Sequence, residues 1–374
     1  MYKRIKIFIL LIISPFILCG CWDEILVEKI GFMTIVGIDS ATTQGNLNLT
    51  YAMPVIDPSV RSARGEILDT ESSLTRIARD NLNRTSGKLM LAGKIQLVLY
   101  SNEVAERGLI TDTNSIFERD PSDPILAWVV VVDGSTRDLI HHTEEFNDKP
   151  RPSTYMDQLL ERSVSNAYID ETRVFNYDLI SMAPGIDNTA PLIKLNSNSI
   201  EVKGVALFSK GKMVGTISAQ QNGLLIAMMK TLKHKTYTYH ASNAPGGPND
   251  KKQTSAIELS ENGKKIKISI KNNEPIVDIY LDLTGTIDEY KWDNLNDKKE
   301  IKKLDDHVRK QLQDDCQQLI EYMQSIKSDP IGIGDMVRAK HNDYFNKVDW
   351  HATYKKAAIT VHVKYHSIEY GGIQ

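Results

Sequence analysis

Apolar positions in this chain switch repeatedly between strand and helix spacing. Phe32-Met33-Thr34-Ile35-Val36-Gly37-Ile38-Asp39 reads as a buried strand, and Leu47, Leu49 and Tyr51 alternate within 46–53 as its hairpin partner. Pro54, Pro58, Gly65 and scattered charges predict a loop over 54–69. Leu74, Ile77, Ala78 and Leu82 then fall at helical spacing, followed by a strand over 93–100. Two short helices near 103–108 and 109–117 lead to a strand over 125–132. Helical periods resume after Pro150-Arg151-Pro152, through Met156, Leu159, Leu160 and Val164, and 191–195 is extended. In the next hairpin Ile200, Val202, Gly204 and Ala206 are expected on one side, Lys210-Gly211 turns, and 213–217 returns. Leu224 to Met229 is a compact apolar helix, and Pro245-Gly246-Gly247-Pro248 marks 240–254 as a loop. Strands are predicted over 264–270 and 276–286. The longest element comes next. Asp297-Lys298-Lys299-Glu300 has capping-box spacing, and Ile301, Leu304, Val308, Leu312, Cys316, Leu319, Met323 and Ile326 recur at steps of three or four until Ser328-Asp329-Pro330. A last strand is expected over 357–365.

The N-terminus follows a different logic. Lys3, Arg4 and Lys6 precede an apolar run from Ile7 to Leu18, interrupted by Ser14 and Pro15. That run is too short for the ~20 apolar residues of a membrane-spanning helix and has the length of a signal-peptide core. Leu18-Cys19-Gly20-Cys21 then has the form of a bacterial lipobox. A branched apolar residue stands three before a cysteine, with small residues between that fit a narrow peptidase site. The expectation is cleavage between Gly20 and Cys21, with S-diacylglycerol and an N-acyl group on Cys21. Asp23 and Glu24, directly after it, oppose an uncleaved anchor sliding deeper.

Composition sharpens this reading. Apolar residues make up 41% and charged residues 25% of 374, an ordinary globular mixture that excludes wholesale disorder and a polytopic membrane protein. The net charge is −3, and loss of a signal carrying three basic residues leaves −6, so no bulk basic field exists to hold nucleic acid. With Cys19 in the signal and Cys21 lipidated, only Cys316 remains, and the exported chain has no intramolecular disulfide to rely on.

Candidate chemistry is sparse. His141-His142 stands beside Glu144 and Glu145, and His362 and His366 would share a strand face, but neither set has zinc-site spacing and no fixed carboxylate neighbour is expected. Ser209 and Lys212 have the spacing of a serine acyl-enzyme motif, but they straddle a predicted hairpin turn and the companion motifs are missing. Gly332-Ile333-Gly334 follows a helix rather than joining strand to helix, which makes it a backbone turn and not a phosphate cradle. No metal, cofactor or catalytic residue is expected. The long helix's seam is expected to pack on a sheet of its own half. Its polar positions, Lys302, Lys303, Asp305, Asp306, Arg309, Lys310, Asp314 and Asp315, read as a solvated face.

Taken in order, several of these pieces resemble the Ger(x)C family, the lipoprotein C subunits of bacterial spore germinant receptors. The matching residues are Cys21-Trp22-Asp23-Glu24, the Gly37-Ile38-Asp39 strand ending, Ser86-Gly87-Lys88 before the 95–99 strand, Ala105-Glu106-Arg107-Gly108-Leu109, and Arg119-Asp120. In the second half they are Gly204-Val205-Ala206-Leu207-Phe208, Val214-Gly215, Asp329-Pro330-Ile331-Gly332-Ile333-Gly334 and Trp350. The resemblance implies an α+β, multi-domain fold of mixed and antiparallel sheets with flanking helices. The expected division is a cleaved signal over 1–20, an N-terminal germination-protein domain over 21–197 and a C-terminal region over 198–374. The last holds the hairpin, the long helix at 297–328 and the final strand, in one or two subdomains. The resemblance also implies attachment to the outer face of the spore's inner membrane and assembly with integral-membrane A and B subunits in the response to nutrients. Only Cys21 carries over as a functional residue. Two other classes stand beside this one. A solute-binding lipoprotein of a transporter needs two similar lobes, and a wall-hydrolysing lipoprotein needs a reactive centre. Neither is evident in the sequence.

Overall fold

A computed structural model describes residues 29–55, 65–73, 75–119, 124–232, 235–240, 254–289 and 298–370. Most of the first two-thirds builds one eight-stranded sheet. Its strands are β2 (Ile35–Ser40), β3 (Leu47–Pro54), β4 (Gly65–Ser72), β6 (Leu97–Ser101), β7 (Trp128–Val132), β8 (Thr189–Asn196), β9 (Ser199–Ser209) and β10 (Lys212–Ser218), in the order β10-β9-β8-β7-β6-β2-β3-β4. The central strands β2, β6, β7 and β8 run parallel, and antiparallel pairs flank them on both sides. The short strands β1 (Ile30–Phe32) and β5 (Leu89–Leu91) pair parallel in a sheet of their own.

All five residues of β6 and of β7 are buried, because helices cover both faces of the sheet. One face carries α1 (Thr75–Thr85), α2 (Asn102–Arg107), α3 (Ile110–Arg119) and α6 (Val174–Ser181), which pack Ala78, Leu82, Val104, Ile110 and Tyr177 against Val98, Tyr100, Val129 and Val131. The other carries α4 (Thr136–Thr143), α5 (Pro152–Ser165) and α7 (Ala219–Met229), set against Leu97, Leu99, Trp128 and Val130. Helix α7 starts at a capping box of Ser218 and Gln221 and is buried continuously from Asn222 to Met228. A helix apolar all round has to lie between layers, and α7 joins the large sheet's core to that of a second sheet.

That second sheet has four strands, β11 (Lys235–His240), β12 (Thr254–Lys271), β13 (Glu274–Glu289) and β14 (Ala358–Tyr370), in that order. The β12–β13 hairpin turns at Asn272 and Asn273, both at positive φ, while β13 and β14 pair parallel. The crossover between them contains α8 (Lys298–Ser325), α9 (Ile333–Lys340), α10 (Asn342–Phe345) and α11 (Trp350–Tyr354). The two sheets are unlike each other in strand number and order, so the described residues do not form two similar lobes. Mixed sheets with eleven helices among the described residues make the fold α+β.

Several expectations are corrected here. The loop expected over 54–69 holds a strand from Gly65, and β4 runs to Ser72 as the sheet's edge. The strands β1, β5 and β11 and the short helices α4, α6, α9, α10 and α11 were not predicted. Residues 241–253 of the expected loop lie outside the described residues, and His240 ends β11. Asp297 of the expected capping box also lies outside them. The expected faces of β9 change midway. Ile200 and Val205 point into one core cluster and Ala206 and Phe208 into the other, because the register slips between Leu192 and Ile193. Gly204, at φ 140°, opens this bulge, and a Cβ there would stand 2.0 Å from the Ile217 carbonyl oxygen. The expected boundary at 197/198 falls in the turn between β8 and β9, neighbours in one sheet.

Candidate functional site

Gly20 and Cys21, the expected cleavage and lipidation residues, lie outside the described residues.

Gly37-Ile38-Asp39 lies in the second half of β2, under the start of α4. A Cβ on Gly37 would stand 2.5 Å from Thr136 Oγ1, so only glycine lets α4 approach this closely. Asp39 then caps the helix. Its Oδ1 accepts from Thr136 N–H (2.9 Å), and its Oδ2 accepts from Thr136 Oγ1 (2.8 Å) and Arg137 N–H (2.9 Å). A carboxylate on the free N–H groups of a helix start also complements its dipole. Asp39→Ala is expected to lower stability by about 1–2 kcal/mol, the upper range for a lost cap. Urea unfolding measures it, and an unchanged midpoint would contradict the role.

The densest polar arrangement is the Asp329–Gly334 segment, which closes the chain after α8. Asp329 is fully buried. Its Oδ1 accepts from Gly332 N–H and Ile333 N–H, each at 3.0 Å, and its Oδ2 accepts from Gly334 N–H (2.8 Å) and Trp350 Nε1–H (2.9 Å). The turn at Gly332, at φ 74°, aims these backbone groups inward, so the glycine pair builds a backbone turn as expected. Burial pushes the Asp329 carboxyl up to about 6. The Gly334, Ile333 and Trp350 donors oppose that rise and the nearby Asp187 charge adds to it.

Asp329 also ties the two halves of the chain together. Its N–H donates to Asp187 Oδ2 at 2.9 Å, and Asp187 N–H donates back to the Asp329 carbonyl at 3.0 Å. Asp187 Oδ1 takes Lys210 N–H at 3.1 Å and lies 3.1 Å from His351 Nε2. Ser209 Oγ donates to the Lys327 carbonyl (2.7 Å), and Asp335 N–H donates to the Gly185 carbonyl (2.8 Å). Asp349 caps α11 through His351 N–H and Ala352 N–H and pairs with Lys210 Nζ at 3.4 Å. The segment leading into β8, the β9–β10 turn, the end of α8 and the starts of α9 and α11 therefore meet at two aspartates. Asp187 and His351 were missed in the sequence because nothing local marks them. Trp350 is marked by the sequence, but its partner Asp329 is not marked as such.

The histidines need a correction. Fixed carboxylate neighbours were not expected, yet His141 Nε2 lies 3.0 Å from Asp69, His351 Nε2 3.1 Å from Asp187, and His362 Nε2 2.9 Å from Asp278. Burial of Asp69 works against its charge, but bonds from Thr50, His141 and Arg137 hold its carboxyl below the usual range. His362 also stacks on Tyr280, with ring centroids 4.6 Å apart. Each is a pair rather than a ligand set: among the described residues no three metal-ligating side chains converge. Ser209 and Lys212 straddle the hairpin turn, and the Ser209 hydroxyl is spent on Lys327. Lys235 was not singled out by the sequence. Burial draws its ammonium down to about 8, and it donates to the Ala219 carbonyl at 2.9 Å.

Similarities to known proteins follow the same order along the chain. The spore germination protein N-terminal domain matches residues 23–195, and the spore germination B3/GerAC-like C-terminal domain matches 203–371. Spore germination protein GerQC of Bacillus cereus is 24% identical over 368 residues, covering 96% of this chain and 98% of that protein. Spore germination protein B3 of Bacillus subtilis (strain 168) is 24% identical over 346 residues, covering 89% of each. The crystal structure of the GerBC protein superposes with a TM-score of 0.57 at 17% identity, covering 92% of this chain and 100% of that one, and shares its fold. With both domains matched in order across nearly its whole length, this chain belongs to the Ger(x)C family of spore germination proteins.

Proposed function

We propose that this protein is the lipid-anchored C subunit of a spore germinant receptor. Acyl groups on Cys21 hold it at the outer face of the spore's inner membrane. There it acts with integral-membrane A and B subunits in the response to nutrients, and it catalyses no reaction. The observation that carries this reading is the ordered pair of domain matches, which begins two residues after Cys21 and runs to residue 371. Among the described residues no helix is long and apolar enough to cross a membrane, and a lipid on Cys21 is the attachment this reading assigns. One acyl chain binds marginally, whereas two or three on one cysteine anchor stably. The oxygens of the buried Asp329 and Asp187 are taken up by bonds that hold backbone in place, which is a structural task. The proposed division at 197/198 falls between the two domain matches, which end at 195 and resume at 203, although β8 and β9 pair across it in one sheet.

Cys21→Ala is expected to abolish acylation, to release the protein from the membrane or leave its signal uncleaved, and to impair germination. Fractionation and mass spectrometry of the variant test this, and full membrane retention with normal processing would overturn the anchor. Co-purification of the wild type from spore membranes is expected to bring two integral-membrane partners. Their absence would overturn the assignment as a receptor subunit.

A further inference from the structure

Helix α6 is apolar on both sides. Val174 and Tyr177 are buried against the sheet, while Phe175, Leu179 and Met182 stand 50%, 53% and 72% exposed. Their spacing of four and three places them in one row along the helix. The row continues into the segment before β7, where Phe175 N–H donates to the Ile125 carbonyl and Leu126 is 71% exposed. The one charged residue between Val174 and Gly185 is Asp178, and it is buried, so the helical part of the strip bears no charge, while Arg173, which donates to the Leu126 carbonyl and pairs with Glu171, borders its other end. With Ile125, 43% exposed, five large apolar side chains stand exposed in these two neighbouring segments and form a patch of the kind that marks an interaction surface.

The position of the strip suggests what covers it. Trp128 N–H donates to the Gln96 carbonyl, and Gln96 N–H to the Thr34 carbonyl, so the strip starts two hydrogen-bonded neighbours away from the entry to β2. This is the end of the sheet from which the chain runs back through β1 to Lys29. The eight residue steps from Cys21 to Lys29 span at most about 28 Å. A lipid on Cys21 therefore keeps this end of the sheet close to the bilayer. Beside β1, Leu89 and Leu91 of β5 are 42% and 37% exposed as well.

We propose that the Leu126–Phe175–Leu179–Met182 strip is a membrane-contact surface that rests in the lipid interface and fixes the protein's orientation on the bilayer. It rests on the reading of Cys21 as the lipid site and adds a second, reversible contact to it. An uncharged apolar face immersed by ~5–10 Å is the form such contacts take.

The test uses the full lipidated protein in vesicles of phosphatidylethanolamine and phosphatidylglycerol. Cys21 is acylated and Cys316 is buried, so a bimane probe reports from a single introduced cysteine. Met182→Cys and Leu126→Cys are compared with Gln44→Cys, which lies in the β2–β3 turn at the opposite end of β2. Nitroxide lipids are expected to quench the probe at 182 and 126 severalfold more than at 44. Equal quenching at all three positions on vesicle-bound protein would overturn the proposal and leave the anchor standing. A wild type without acyl groups, or not bound to vesicles, would overturn the anchor and this proposal with it. If co-purified membrane subunits are present, crosslinking of position 182 to them without lipid quenching would overturn it in favour of a protein interface.

Discussion

Asp329→Ala is expected to destabilise this protein by about 4–6 kcal/mol, close to the whole stability of an ordinary domain. The carboxylate accepts four N–H groups inside the protein, three from the turn that follows it and one from the Trp350 indole. Each buried donor left without an acceptor costs about 1–3 kcal/mol. The loss does not stay local, because the same turn presents Asp329 N–H to Asp187 and so joins the α8 end to the large sheet. Asp329→Asn keeps one acceptor oxygen and turns an amide donor toward other donors, so it recovers only part of the loss. Denaturant unfolding of the two variants measures this, and an alanine variant within 1 kcal/mol of wild type would refute the junction's importance. The proton gives a second readout. The folded-state value, about 6, lies above the ordinary 3.8, so the folded chain holds this proton more tightly than the unfolded one. Stability from this titration is therefore complete below about pH 3.8 and is lost as pH rises through about 6. The asparagine variant has no such proton, so its deficit relative to wild type should shrink between pH 4 and pH 7. A deficit that grows over that range would reverse the sign of the argument.

The Asp329 site also marks how far the sequence could be read. Asp329 through Gly334 is visible as a motif, but its meaning depends on Asp187, 142 residues earlier, and on Trp350. No local pattern encodes such a pairing. The all-buried strands β6 and β7, the Lys210-Gly211 turn and the long helix were legible, because a continuous apolar run, a turn residue pair and a sustained helical period are each local signals. Strand β4 was not. Among the described residues it pairs only with β3 at the sheet's edge, and Glu66, Asp69 and Glu71 suit an edge that must not recruit another strand. Helix α6 hid for the opposite reason: apolar on nearly every side, it has no helical period to detect. The face switch in β9 was hidden by one bulge residue, since a shift of one position inverts every later side chain.

Leu312→Ala is expected to cost about 2–5 kcal/mol, as for a leucine truncated in a closed core. Leu304, Val308, Leu312, Cys316, Leu319 and Met323 are all buried, and they lie in one core cluster with Ile279, Leu281, Val361 and Val363 of the four-stranded sheet. The seam therefore faces a sheet of its own half, as its spacing predicts. The polar side of the helix is not simply solvated, however. Strand β14 is an edge, and α8 covers its free backbone. Gln317 takes Val361 N–H at 3.1 Å and donates to the Ile359 carbonyl at 3.1 Å, while Asp305 takes Ser367 N–H at 3.2 Å. Asp315 accepts from the Tyr237 hydroxyl. A helix sealed to its sheet by both apolar and polar contacts is scaffold, and its truncation should show as a lower melting midpoint. Co-purification with the membrane partners should fall only as far as folded protein falls. An unchanged midpoint with partners lost would mean that Leu312 faces a partner, which its complete burial in this fold argues against.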